Sequence, residues 1–178
     1  MSNEGLKLVI TRRGLEAAIS AAARGIKAAL KWVSVGDAAY HPNKEQLVLQ
    51  NERARVEFGE YKDTGGSSIQ AAAKFSGPDE YAIREIGFWL EDGTLFGVIS
   101  APDTTLNYKA KNAHCLQPFT LNLSDLPSDS ITVIVGTENL NILVDDEIAT
   151  MAKSIIDTQH LVIKQLFRIM ELERNCIN

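Results

Sequence analysis

An α+β fold is predicted: an N-terminal helix packed on a mainly antiparallel sheet or sandwich, followed by a long C-terminal coiled-coil-forming helix. Three observations predict it. Residues 84–100, REIGFWLEDGTLFGVIS, read as a β-hairpin about an Asp92-Gly93 turn. An alanine-rich helical segment follows Thr11 near the N-terminus. From Asp145 to about Arg174 neither proline nor glycine occurs, and isoleucine or valine recurs every seven residues.

The hairpin is the most sharply specified element. Asp-Gly suits a two-residue type I′ turn, whose central residues both need positive φ. Pairing outward from it sets Leu90 opposite Leu95, Trp89 opposite Phe96, Phe88 opposite Gly97, Gly87 opposite Val98 and Ile86 opposite Ile99. Both faces of this ribbon are apolar, so it should be covered on two sides at the centre of a sheet. Arg84 and Glu85 enter the first strand on opposite faces. Either both escape to solvent at the strand end, or each meets a partner from another loop, with Asp37, Glu52 and Arg53 as candidates.

Taken in order, residues 6–10 form a short apolar segment and Thr11 is placed as N-cap of a helix beginning near Arg12. Leu15, Ala18, Ile19 and Ala22 share one face of it, and Gly25 stops it. Residues 30–35 alternate as a strand, with Leu30, Trp32 and Ser34 on one side and Lys31, Val33 and Val35 on the other. Gly36-Asp37 ends that strand, and Pro42 and Asn43 mark residues 38–47 as an exposed loop. Two further strands, residues 53–58 and 67–75, flank a polar turn at 62–66. The Ala71-Ala72-Ala73 run suits a helix by propensity, but its position before the hairpin favours strand. Residues 101–113 read as a long loop or edge excursion. Residues 116–123 alternate at Phe119, Leu121 and Leu123, and the β-branched run 131–135 is expected to pair with them antiparallel.

The last segment carries Ile148, Ile155, Val162 and Ile169 in one row. Beside it runs a second row, Ile156, Ile163, Met170 and Ile177, while Met151, Thr158, Gln165 and Leu172 fill the intermediate positions. An apolar stripe this wide exceeds a dimeric seam and predicts a threefold bundle of helices about 45 Å long. The expected trimer interface is Ile148, Met151, Ile155, Ile156, Val162, Ile163, Leu166, Ile169 and Met170. A helix folded back on its own domain is the other reading. The chain therefore divides into residues 1–140, an α+β domain, and residues 141–178, a trimerisation helix.

Composition excludes several classes. With 45% hydrophobic and 23% charged residues the chain is an ordinary globular protein. A formal net charge of -5 argues against a nucleic-acid partner, and the short basic clusters Lys109-Ala110-Lys111 and Arg12-Arg13 read as solvated surface. Cys115 and Cys176 lie far apart, which makes a disulfide framework improbable. His41, His114 and His160 fall in different segments without metal-ligand spacing, and no cofactor fingerprint or nucleophile motif occurs. Glu80 and Glu85 are the carboxylates that glycosidase chemistry could in principle use. No enzymatic role, cofactor or metal is expected. No apolar run is long enough to cross a bilayer, no signal peptide is recognised, and synthesis and folding in a cytoplasm are expected.

The residues also carry a resemblance. The run Arg84-Glu85-Ile86-Gly87-Phe88-Trp89, the acidic-Gly turn and Thr94-Leu95-Phe96-Gly97-Val98 resemble the signature of bacteriophage tail-fibre (tail-collar fibre) N-terminal domains. Val35-Gly36-Asp37-Ala38-Ala39-Tyr40, Leu49-Gln50-Asn51-Glu52-Arg53-Ala54-Arg55-Val56 and the strand-Thr11-helix opening fit the same family in order, over roughly four-fifths of the chain. The resemblance implies a homotrimeric structural component of a phage or phage-derived contractile tail, attached to a baseplate protein and connected to a distal tail-fibre protein. Its location would be the virion or tail particle, assembled in the host cytoplasm. Family members continue into a shaft and tip, so a chain ending just after the helix is expected to connect rather than recognise a host. A receptor- or carbohydrate-binding module is the alternative, and the few aromatic residues, mostly committed to the core, give it little stacking surface. If the domain plugs into a larger assembly, segments 37–43 and 51–55 are the ones expected to touch it, through Asp37, Tyr40, Asn51, Glu52, Arg53 and Arg55; ordinary loop packing fits these segments equally.

Overall fold

The computed structural model describes residues 7–65, 68–127, 130–137, 153, 156 and 158–170. The chain divides into two compact units, Met1–Leu140 and Asn141–Asn178.

The first unit is built on the hairpin. Strands β7 (Glu85–Leu90) and β8 (Leu95–Ser100) are buried at every position. They lie inside a six-stranded sheet in which β1 (Val9–Ile10) pairs with β8, and β2 (Ala28–Gly36) pairs with β7. The far edge of β2 is shared: β11 (Ile131–Val133) runs parallel to its first half, and β3 (Glu52–Glu57) runs antiparallel to its second. A three-stranded sheet packs across it, in the order β10 (Cys115–Asn122), β5 (Ser68–Phe75), β4 (Glu60–Gly65). Phe119 of β10 bridges the layers edge-on, its ring 5.0 Å from Phe88 and 5.9 Å from Phe58. Ala71, Ala72 and Ala73 are wholly buried on β5, so their strand assignment follows from packing and not from propensity. A two-stranded ribbon, β6 (Tyr81–Ile83) with β9 (Asn107–Lys109), completes the unit.

Both faces of the hairpin are covered, by different means. Ile86, Phe88, Leu90, Phe96 and Ile99 belong to the main core, while Trp89, Leu95 and Val98 form a second cluster with Leu49, Trp32 and Tyr40. The turn differs from the expected type I′. Of its residues only Gly93 takes positive φ, +83°. Gly93 N donates to Leu90 O at 3.0 Å, Leu90 N to Thr94 O at 2.9 Å, and Thr94 N to Asp92 Oδ1 at 2.8 Å. A three-residue loop of this kind needs one left-handed residue where type I′ needs two. The register therefore shifts at the tip: Trp89 faces Leu95 and Phe96 is left as an extra residue. Phe88–Gly97, Gly87–Val98 and Ile86–Ile99 pair as expected.

That extra residue seats the helix. Thr11 N donates to Phe96 O at 2.9 Å and Thr11 Oγ1 to Leu95 O at 2.5 Å, while the same hydroxyl accepts from Gly14 N at 3.0 Å as the N-cap of α1 (Arg12–Ala23). The buried face is Gly14, Ala18 and Ala21, with Ile19 outside it, because the helix approaches the sheet through its smallest residues. Gly25 follows the helix at φ +72°.

Several expectations need correction. Among the described residues the chain is mainly β: eleven strands accompany α1 in the first unit, and in the second the continuous helix α2 is described over residues 158–170, about 20 Å, with residues 153 and 156 also helical. Where a long C-terminal coiled-coil-forming helix was expected, the described helix is a short one. Freedom from glycine and proline removes helix breakers but provides no packing, and packing supplies most helical stability. Residues 116–123 and 131–135 do not pair with each other; they lie in opposite layers, β10 on β5 and β11 on β2. The alternation of β10 gives it one wet face, which suits the thinner outer sheet. The turn expected at 62–66 is largely strand β4, whose polar sequence has no apolar alternation to announce it. Lys31 is a bulge, so Leu30 joins Val33 and Val35 in the core instead of facing with Trp32 and Ser34. Lys109 is also buried, its Nζ donating to Gly77 O and Asp79 O at 2.8 Å, so of the two lysines in that cluster Lys111 is the exposed one.

A Cβ on Gly14 would lie 2.5 Å from Phe96 O, a backbone atom that cannot swing away. Gly14→Ala is expected to destabilise by about 1–3 kcal/mol, although alanine is the better helix former by about 1 kcal/mol. Urea unfolding checks the sign, and an increase in stability would refute this docking of α1.

Candidate functional site

The site is assembled where β2 ends. At Gly36 the chain passes so close to the start of β7 that a side chain there would overlap Glu85 Oε1 and Asn51 O. Glu85 is 0% exposed. Its Oε1 accepts from Asn51 N at 2.7 Å, and its Oε2 accepts from Gln50 N at 3.0 Å and from the Tyr40 hydroxyl at 2.8 Å. Two backbone amides and a phenol thus surround one carboxylate, which an ionised acceptor-only group can satisfy without water. Tyr40 in turn accepts from Gln46 Nε2, and the same amide reaches Val48 O at 2.7 Å. Burial, reinforced by the Glu85 carboxylate, pushes the Tyr40 phenol well above its ordinary range. The loop joining β2 to β3 is therefore pinned at Tyr40 and again at Gln50-Asn51, and between them Leu49 is buried against the cluster containing Trp89.

Charged residues continue the arrangement along the edge. A register shift between Val35 and Gly36 leaves Arg53 as the extra residue on β3, and bulges of this kind re-aim side chains. Asp37 accepts from Arg53 Nε at 2.9 Å, from its terminal nitrogen at 2.7 Å and from Asn51 Nδ2 at 2.6 Å. The Arg53 hydrogen bond is the main reason that the Asp37 carboxyl lies below its usual range. Arg55 makes a two-pronged contact with Glu52, at 2.9 and 2.7 Å, and lies 3.7 Å over the Trp89 ring. Below that ring Trp89 Nε1 donates to the buried Ser34 hydroxyl at 2.6 Å.

Of the six residues expected at an interface, Tyr40 and Asn51 bind Glu85, Asp37 and Arg53 join them through the Asn51 side chain, and Glu52 and Arg55 form a separate pair beside Trp89. Sequence reasoning missed the hub. Glu85 finds a partner from another loop, but that partner is Tyr40 with two backbone amides, none of the three side chains considered; Arg84 alone escapes to solvent. Gln46 and the exposed pair Leu47-Val48 were also missed. The available signal was a carboxylate one residue inside an otherwise apolar strand, together with a tyrosine in a polar loop.

Glu80, the other carboxylate considered, is exposed and accepts from the Tyr108 hydroxyl on the β6–β9 ribbon. Among the described residues no three His, Cys, Asp or Glu side chains are placed to hold a metal, and no helix is long and apolar enough to cross a membrane. Cys115 is a buried free thiol; Cys176 lies outside the described residues. Of the expected trimer residues, Ile148, Met151 and Ile155 also lie outside them, whereas Ile156, Val162, Ile163, Leu166, Ile169 and Met170 are all exposed. No protein-family model matches the chain, and no curated protein or solved structure matches it.

Two outcomes are expected. Glu85→Gln, which turns a donor towards donors, should cost about 1–3 kcal/mol, and Tyr40→Phe, which removes one of three donors, about 1 kcal/mol; equal melting of parent and Glu85→Gln in urea would exclude the network. Because Asp37 has a folded-state pKa below its unfolded value, its stabilising contribution is complete above the unfolded value and is lost as pH falls through the folded one. An NMR titration should place Asp37 below the ordinary 3.8 and return it towards that value in Arg53→Ala.

Proposed function

We propose that this chain is a structural, non-enzymatic component of a phage or phage-derived contractile tail: a homotrimeric tail-fibre protein that attaches to a baseplate protein and connects to a distal fibre. The observation that carries the reading is that Tyr40 and Asn51, one from each of the segments 37–43 and 51–55, both hydrogen-bond the buried Glu85. An attachment surface must hold its shape before its partner arrives, since ordering a loop on binding subtracts from affinity. Here the loop is anchored by hydrogen bonds to the buried Glu85 on a doubly covered hairpin.

Support for self-association comes from α2. Leu161, Val162, Ile163, Leu166, Phe167, Ile169 and Met170 are each more than half exposed, and a helix of this length is marginal alone in water. With about 100° per residue, most of these side chains fall within one broad arc, and Lys164, Gln165 and Arg168 lie on the other side. Covering so broad an arc takes more than one neighbouring helix.

Purified chain is expected to restore fibre attachment to tail particles made without it, and Gly36→Val, which displaces Glu85 and Asn51, to abolish that restoration. Particles that assemble fibres without the chain would refute the attachment role. Sedimentation equilibrium should give a trimer at micromolar concentration, and Val162→Asp with Leu166→Asp should shift it towards monomer. A monomeric parent would refute the homotrimer.

A further inference from the structure

We infer that the open cleft beside Trp32 binds one or two units of a neutral saccharide, a function separate from attachment. Trp32, Glu57, Lys74, Ser76, Gly136 and Thr137 line it, and its volume of about 450 Å³ is that of a small-molecule site.

The cleft forms where β3 and β5 end. Glu57 is the last residue of β3 and pairs with Trp32 of β2, so the two side chains share one face of the sheet. The chain leaving β11 runs alongside: Val135 bridges to Phe58 in parallel, and Gly136 N donates to Phe58 O at 2.7 Å. A Cβ on Gly136 would lie 2.6 Å from Glu57 Oε2, so the glycine leaves the carboxylate its place against the backbone. Lys74 near the end of β5 and Ser76 just after it bring an ammonium and a hydroxyl from the second sheet; Ser76 Oγ also lies 2.7 Å from His114 Nδ1.

The residue types define what fits. Trp32 is partly exposed, whereas Trp89 beside it on β7 is 3% exposed, and one indole is enough to stack one sugar ring. Glu57 is half-buried and makes no hydrogen bond or ion pair with a described residue, so an acceptor-only group faces the cleft with its lone pairs open. Hydroxyl groups both donate and accept, which lets one ligand meet Glu57, Lys74 and the two hydroxyls together. A cationic ligand is disfavoured by Lys74 in the cleft and by Lys31, whose Nζ is paired with Glu91 at 3.6 Å and stands 5.4 Å from the Trp32 ring centroid. An anionic one is disfavoured by Glu57 within the same small volume. A neutral ligand with an apolar ring face and many hydroxyls satisfies all of these groups.

The test is an NMR titration of the full, ¹⁵N-labelled chain with glucose, galactose, N-acetylglucosamine, maltose and lactose, each to about 50 mM. At least one of them should give saturable shifts of the Trp32 indole and of the Ser76 and Gly136 amides, with a Kd on the order of millimolar. Glu57→Ala removes no contact to a described side chain and should melt like the parent, yet it should bind that sugar at least about tenfold more weakly; Glu57→Gln, which keeps an acceptor, should lose less. Arginine and inorganic phosphate, as cationic and anionic probes, should leave the three signals in place. No saturable shift with any of these sugars, a sugar affinity unchanged in Glu57→Ala, or tighter binding of arginine or phosphate than of every sugar would overturn the inference. None of these outcomes bears on the attachment reading, which involves the other end of β2.

Discussion

Glu85 stands at the start of β7 without access to water, and a carboxylate in such a place costs several kcal/mol, on the order of what a small domain has in total, unless donors meet it. The donors are supplied by the chain's least regular segment. Tyr40 and the amides of Gln50 and Asn51 all come from the connection between β2 and β3, so the carboxylate and the loop each require the other. Leu49 can cover Trp89, Leu95 and Val98 only while the amides that follow it are held on Glu85. Leu49, held between these contacts, packs on Trp89, Leu95 and Val98, so the hairpin is closed on both sides.

Three departures from regular pairing do comparable work elsewhere. The extra residue at Phe96 accompanies a pair of carbonyls turned towards Thr11, which fixes where α1 begins. The bulge at Lys31 returns Leu30 to the same core as Val33 and Val35. The shift that leaves Arg53 unpaired places its guanidinium on Asp37 while Arg55 covers Trp89. Each converts a local irregularity in a strand into a fixed position for a neighbouring element.

These same places mark the limit of what could be read from residues alone. The N-cap at Thr11, the stop at Gly25, the alternation of β10 and most of the hairpin register were legible because each depends on local geometry or on period. The bulges were not, since a bulge shows itself only against a partner strand. The parallel pairing of β11 and the polar strand β4 were hidden for a related reason: β-branched character says that Ile131 and Val133 belong in a sheet, but not in which one. At the site, the segments holding Asp37, Tyr40, Asn51 and Arg53 were named from the sequence, while their shared dependence on Glu85 was not. The acid's place in an apolar strand was visible, but two of its three partners are backbone amides, which every sequence contains.

The account turns on whether Glu85 holds the β2–β3 loop, and amide hydrogen exchange at Gln50 and Asn51 tests that most directly. Both amides should exchange slowly in the parent, approaching the protection of β7 and β8, and should become fast in Glu85→Gln while the hairpin amides stay protected. Fast exchange at Gln50 and Asn51 in the parent would contradict it.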